Sequence, residues 1–133
     1  MGMIKVLFSG AGFAFNKMAK SIKEILDNMR FYKLVGNIEY LYKAAWICKY
    51  GVFDSMNKWH WSSGAKIFIP DHPEIGRDSL HVVIAFATTK IYNAIKELPE
   101  TQSKYVEQIL EGGTAYHEVE HLISPKMKRK LKP

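Results

Sequence analysis

Residues 30–51 read RFYKLVGNIEYLYKAAWICKYG, and the fold class turns on them. Phe31 to Val35 is a short β-prone run, Gly36-Asn37 is turn chemistry, and Ala44 to Tyr50 fits a second strand or a short helix. The apolar residues from 38 to 50 follow neither a two-residue nor a 3.6-residue repeat cleanly, so periodicity leaves that segment open. As strands, these residues form the middle of a small antiparallel sheet. As helix, they remove it.

The flanks are easier to read. Upstream, MIKVLFSG is a β-rich run that ends near Gly10 and Gly12 and predicts a first strand. Residues 14–29 then place Phe15, Met18, Ile22, Ile25 and Met29 at three- and four-residue steps, with Lys17, Lys20, Lys23, Glu24 and Asp27 between them. That is an amphipathic helix with one buried stripe. Downstream, VFDSMNKWHWSSG reads as a polar-aromatic loop, AKIFIP as a strand closed by Pro70, and DHPEIGRD as a Pro/Gly-punctuated turn.

Asp78 is a candidate N-cap for SLHVVIAFATTKIYNAIKEL, in which Leu80, Val83, Ile84, Ala87, Ile91, Ala94, Ile95 and Leu98 keep helical phase. The β-propensity of HVVIAF opposes this, but length and phase favour one long helix ended by Pro99. ETQSKYVEQILEGG predicts a shorter helix stopped by Gly112-Gly113, and TAYHEVEHLI another. The order β-α-β-β(-β)-α-α predicts an α+β domain: a small, mostly antiparallel sheet packed by an N-terminal helix and a long central helix, with short C-terminal helices. The domain spans residues 1–123, and residues 124–133 form a basic C-terminal tail.

At 133 residues and 47% hydrophobic content, the chain is long enough for one domain with an ordinary core. Its single cysteine, Cys48, excludes an internal disulfide and a cysteine-built zinc cage, and fits a reducing compartment. No signal peptide and no membrane span is read. The tail SPKMKRKLKP holds Lys126, Lys128, Arg129, Lys130 and Lys132, five of the net charge of +6, so the body carries only +1. The basicity therefore describes a tail, which is a candidate contact for DNA or an acidic partner, and not a binding face.

Three stretches invite a chemical reading. His117, Glu118 and His121 spell H-E-x-x-H, with two imidazoles one helical turn apart and a carboxylate to polarise bound water, as in zinc hydrolases. Three features weigh against it. The two histidines point away from the apolar stripe of Tyr116, Val119 and Ile123; Glu120 adds a charge between them; and a third ligand has to come from upstream, from His60, His72, His81 or an acid. The zinc hydrolase is therefore the runner-up, and no catalytic set or cofactor is assigned. Gly10 and Gly12 form half of a phosphate-binding loop, but Phe13 and Phe15 crowd it, so a plain glycine turn is the better reading. Trp59 and Trp61 in KWHWSSG suit insertion into a protein partner, with nucleobase stacking as the weaker alternative.

Residues 44–53, AAWICKYGVF, followed by a variable loop and then IFIPDHPEIGRDSLHVVIAFATTKIYNAIKEL, resemble small tail-component proteins of long-tailed bacteriophages. These are the tail-completion, neck and virion-morphogenesis proteins. The matching features are Tyr50-Gly51, the loop through Gly64, the turn Ile69-Pro70-Asp71-His72-Pro73 and the helix after Asp78, with VGNIEYLYKAA leading in. The likeness covers about residues 35–98. This chain departs from the family pattern in having His72-Pro73-Glu74 where an Arg-Pro-Phe is common, and in lacking a Thr-Gly block.

The resemblance implies a structural virion protein at the head–tail junction or tail end, assembled in the host cytoplasm as a homo-oligomeric ring. Its partners would be copies of itself and other virion proteins, with no membrane involved. Tyr50, Trp59, Trp61, Pro70 and Pro73 are the candidate interface residues, and the two prolines stiffen the turn between strand and helix.

Overall fold

The computed structural model describes residues 10–56, 66–75 and 78–110. The predicted first strand, the loop tryptophans Trp59 and Trp61, the H-E-x-x-H segment and the basic tail lie outside the described residues. What is described is mostly helical, with one small two-stranded antiparallel sheet.

Helix α1 (Gly10–Val35) is longer than its apolar stripe predicts. The stripe is as expected, with Met18, Ile22, Ile25 and Met29 buried and Phe15 packed against the core. At its start, Gly10 and Gly12 belong to the helix, so they do not form the predicted turn. At its end, Phe31 to Val35 is helical where a strand is predicted.

The reason lies in the two residues that follow. Gly36 adopts φ +77 and donates its N–H to the carbonyl of Tyr32 at 2.8 Å, a left-handed helix stop that glycine makes without Cβ strain. Asn37, extended at φ -82 and ψ 119, accepts the N–H of Glu39 at 3.0 Å through its side chain and so caps α2 (Ile38–Ile47). The Gly-Asn pair is thus a corner between two helices and not the turn of a hairpin. Asn37→Ala and Gly36→Ala are each expected to lower stability by about 1 kcal/mol in urea denaturation, since one removes the cap and the other forces a Cβ into the left-handed region. An unchanged midpoint in both would contradict the corner.

The segment from 44 to 50, left open between strand and helix, is helical. α2 runs into a π-helical segment, Cys48–Phe53, whose wider spacing shows in the Asp54 N–H donating to the carbonyl of Lys49, five residues back. Helix α3 (Asp54–Met56) continues it, so residues 52–56 are not the loop that their composition suggests. Beyond it, among the described residues the predicted strand AKIFIP pairs only through β1 (Lys66–Ile67), antiparallel to β2 (Asp78–Ser79), with Lys66 opposite Ser79 and Ile67 opposite Asp78.

Asp78 is therefore a ladder residue and does not cap the next helix. Ser79 holds the N-cap position of α4 (Leu80–Ile95), in extended conformation and without a side-chain cap bond. The sequence HVVIAF is helical after all. Val83 through Thr88 are buried in succession, so α4 is enclosed nearly all round and packing overrides local β-propensity. A tightened turn, with N–H groups of Lys96, Glu97 and Leu98 bonded to Tyr92, Ala94 and Ile95, ends α4 earlier than its apolar phase implies. Pro99 then offers its carbonyl to Gln102 and Ser103 at the start of α5 (Glu100–Leu110).

The elements share one core. α1 packs against α2, the π-helical segment, α3 and α4, while α5 packs on α2 and α4. Phe86, Met18, Ile22, Leu41 and Leu110 are among the largest side chains fully removed from solvent.

Candidate functional site

The turn Ile69-Pro70-Asp71-His72-Pro73 is built by its two prolines. The carbonyl of Ile69 accepts the N–H of His72 at 2.9 Å, which places Pro70 at the second position of a β-turn, where its fixed φ suits the bend. Pro73 opens the 3-10 turn Pro73–Ile75, and the N–H of Ile75 bonds back to His72 at 3.2 Å. His72 sits between the two bends, aimed at α1.

There its ring is 2% exposed and is engaged at both nitrogens. Nε2 lies 2.7 Å from Asp27 Oδ1, and Nδ1 lies 3.0 Å from Arg30 Nη2, which also donates to the Asp71 carbonyl at 2.7 Å. Arginine only donates and an ionised carboxylate only accepts, so these partners assign the neutral Nε2–H tautomer. Lys23 completes the cluster, 2.8 Å from Asp27 Oδ2 and 3.4 Å from Asp71 Oδ2. For Asp27, burial works to raise the carboxyl pKa, but the hydrogen bonds from Lys23 and His72 and the charge of Lys23 outweigh it and hold the group below its ordinary value.

Such a histidine is an anchor. It clamps the proline turn to α1 across 45 residues of sequence, and with both nitrogens committed it is not placed to serve as the upstream zinc ligand that H-E-x-x-H requires. Among the described residues, no group of three His, Cys, Asp or Glu side chains comes together to hold a metal ion. No described helix is long and apolar enough to cross a membrane.

Gly51, the second half of the Tyr50-Gly51 pair, marks a close approach between the π-helical segment and α1. A Cβ built there would lie 2.6 Å from the Cβ of Ser21, inside any real contact distance. Next to it, Cys48 is fully buried against Thr88, with Sγ 3.7 Å from the hydroxyl. Burial pushes its pKa up to about 12, only partly offset by the Thr88 hydrogen bond, so the group stays a thiol and is no nucleophile at neutral pH. Cys48 is expected to react with an aromatic disulfide reagent only at the rate at which the domain opens, and promptly in urea. Fast stoichiometric labelling of the native protein would contradict this burial.

On the outer side, Tyr50 is 53% exposed and stacks flat on Trp46, with ring centroids 5.4 Å apart and planes within 5°. Phe31, Leu34 and Val35 are also exposed at the end of α1, Phe31 meeting Tyr40 at 5.6 Å. Of the predicted interface residues, Tyr50 faces outward as expected, and Pro70 and Pro73 are exposed on the clamped turn. The structure thus places Tyr50 and the prolines on two separate features, and Trp59 and Trp61 lie outside the described residues.

Trp46, Glu39 and Lys43 were missed by sequence reasoning, as were Asp27, Arg30 and His72 as a cluster. A helical reading of residues 38–50 would have found the first three, because 39, 43, 46 and 50 fall on one helical face. The cluster has no local signal.

Compared with known protein families, with curated proteins and with solved structures, the chain matches none.

Proposed function

We propose that the protein is a non-enzymatic structural component of a long-tailed bacteriophage particle, a tail-completion or head–tail junction protein that assembles as a homo-oligomeric ring. The observation that supports it best is how residues 35–98 are tied together. Gly51 presses on Ser21 of α1, His72 of the proline turn is bonded to Asp27 and Arg30 of α1, and α4 packs along the same helix. The described parts of the block that carries the phage resemblance are thus all held against α1, with Trp46 and Tyr50 of that block, and Phe31, Leu34 and Val35 at the end of α1, exposed.

Neighbours in a closed ring meet through heterologous contacts, and exposed aromatic and aliphatic groups are the usual material of such contacts. Within this reading, Tyr50, Trp59, Trp61, Pro70 and Pro73 meet neighbouring subunits. The tail residues Lys126, Lys128, Arg129, Lys130 and Lys132 contact DNA or an acidic virion protein. A fuller antiparallel sheet, with a further strand in the run MIKVLFSG, belongs to the same reading.

Mass photometry and negative-stain microscopy of the purified protein, alone and with virion tail proteins, test it. Rings or defined oligomers are expected; a strict monomer that binds no virion protein sinks the reading. Zinc analysis of protein purified without a His tag separates the hydrolase alternative, since stoichiometric zinc lost in His117→Ala would replace the structural role with an enzymatic one.

A further inference from the structure

Four outward residues of α2 and the π-helical segment, Glu39, Lys43, Trp46 and Tyr50, recur at four-, three- and four-residue steps and are all exposed. The flat stack of Trp46 on Tyr50 shows that these two share one face despite the change from α to π winding. The strip therefore carries one acid, one base and two aromatic rings along about 16 Å of helix.

We propose that this strip is a two-fold interface with a second copy of the chain, α2 lying antiparallel to the same helix of its partner. Its chemistry is complementary to itself in one register. With the two-fold axis halfway between Ala44 and Ala45, Lys43, whose ammonium lies 5.7 Å from the ring centroid of Tyr40 in its own chain, faces Trp46 of the partner subunit and would turn to the electron-rich face of that indole. In that same register Glu39 faces Tyr50 of the partner subunit, a carboxylate that accepts the phenol O–H. Each pair occurs twice by symmetry, as an isologous contact requires.

Other registers do worse. Moving the axis to between Trp46 and Ile47 brings Glu39 opposite the exposed Asp54 of the partner subunit, carboxylate against carboxylate. Moving it toward Leu41 pairs Glu39 with Lys43 but leaves both rings uncovered. A nucleic-acid strand is the poorer occupant, because the strip's acid and base cancel and give phosphate no preference. The pairing does not rest on the virion reading, and because it is isologous it takes Tyr50 in place of the heterologous ring contact given to that residue above.

Oxidative cross-linking of the full chain tests the register. Residues 39 and 50 are too far apart on one helix to bond within a chain, and each lies about 16 Å from its own symmetry mate. Glu39→Cys combined with Tyr50→Cys is therefore expected to give a disulfide-linked dimer, and either single variant none; the native Cys48 is buried. In sedimentation velocity, Trp46→Ala and Lys43→Glu are expected to weaken self-association at least about tenfold, as central interface residues do. Their thermal midpoints should match wild type at concentrations where the wild-type chain is monomeric, since association itself raises the midpoint. The proposal is overturned if the double-cysteine chain links no better than the singles, or if the wild-type chain is monomeric at every concentration. It is also overturned if Trp46→Ala abolishes binding of a single-stranded oligonucleotide and leaves self-association intact.

Discussion

Gly51→Ala is expected to lower the unfolding free energy by about 1–3 kcal/mol, the usual cost of overpacking a closed contact. The sign is the informative part. At an exposed helical position the same change stabilises by about 1 kcal/mol, because alanine is the better helix former. Here the new methyl meets Ser21 Cβ at 2.6 Å, and a Cβ cannot rotate away. The π-helical segment and α1 have to part, loosening a contact line that includes the fully buried Ile22 and Val52. Urea denaturation of Gly51→Ala, Ser21→Gly and the double variant checks the cause. Ser21→Gly alone should cost about 1 kcal/mol through helix propensity, and the double variant should be more stable than the sum of the singles predicts. Strict additivity would mean that the two positions do not touch.

His72→Ala is expected to cost about 2–4 kcal/mol. The lost ring leaves a cavity beneath the turn, and Asp27 Oδ1 and Arg30 Nη2 each lose a bond. The value should fall short of a fully buried broken pair because Asp27 is 29% exposed and draws on solvent. A double-mutant cycle with Asp27→Asn should show coupling of about 1 kcal/mol or more, and near-zero coupling would remove His72 from its place as anchor.

Acid provides a second check on the same cluster. The folded state holds the Asp27 carboxyl below its unfolded value, so the unfolded chain takes up the proton first as pH falls. The stabilisation is complete above the ordinary carboxylate range and disappears as pH drops through the lowered folded value. Wild type should therefore lose more stability than Asp27→Asn between neutral and strongly acidic solution. Equal losses would show that the cluster does not hold the ionised carboxylate.

Much of the helical frame could be read from residue order. The stripe of Met18, Ile22, Ile25 and Met29 announces α1, and α4 declares itself by phase and length even though HVVIAF favours strand. The misreading of residues 31–35 as a strand, and the open reading of 38–50, have a physical origin. Phe31, Leu34 and Val35 are apolar but sit on the outer face of α1, so they break the 3.6-residue pattern just where the helix continues. Without that pattern, Gly36-Asn37 reads as a hairpin turn, although a glycine stop followed by an asparagine cap and Glu39 in the first turn is equally the punctuation of two helices.

Interactions within a turn or two of the chain were therefore accessible from the amino-acid order: the helix stripes, a break in the chain at Gly36-Asn37, and the bends set by Pro70 and Pro73. The anchoring of His72 on Asp27 and Arg30 and the contact of Gly51 with Ser21 were not, and neither was the burial of Val83 through Thr88 in succession. Each joins residues tens of positions apart, and no local preference encodes which distant side chain will arrive. Packing of the whole chain makes that choice, because burial and the pairing of charges are settled only when separate elements close on one another.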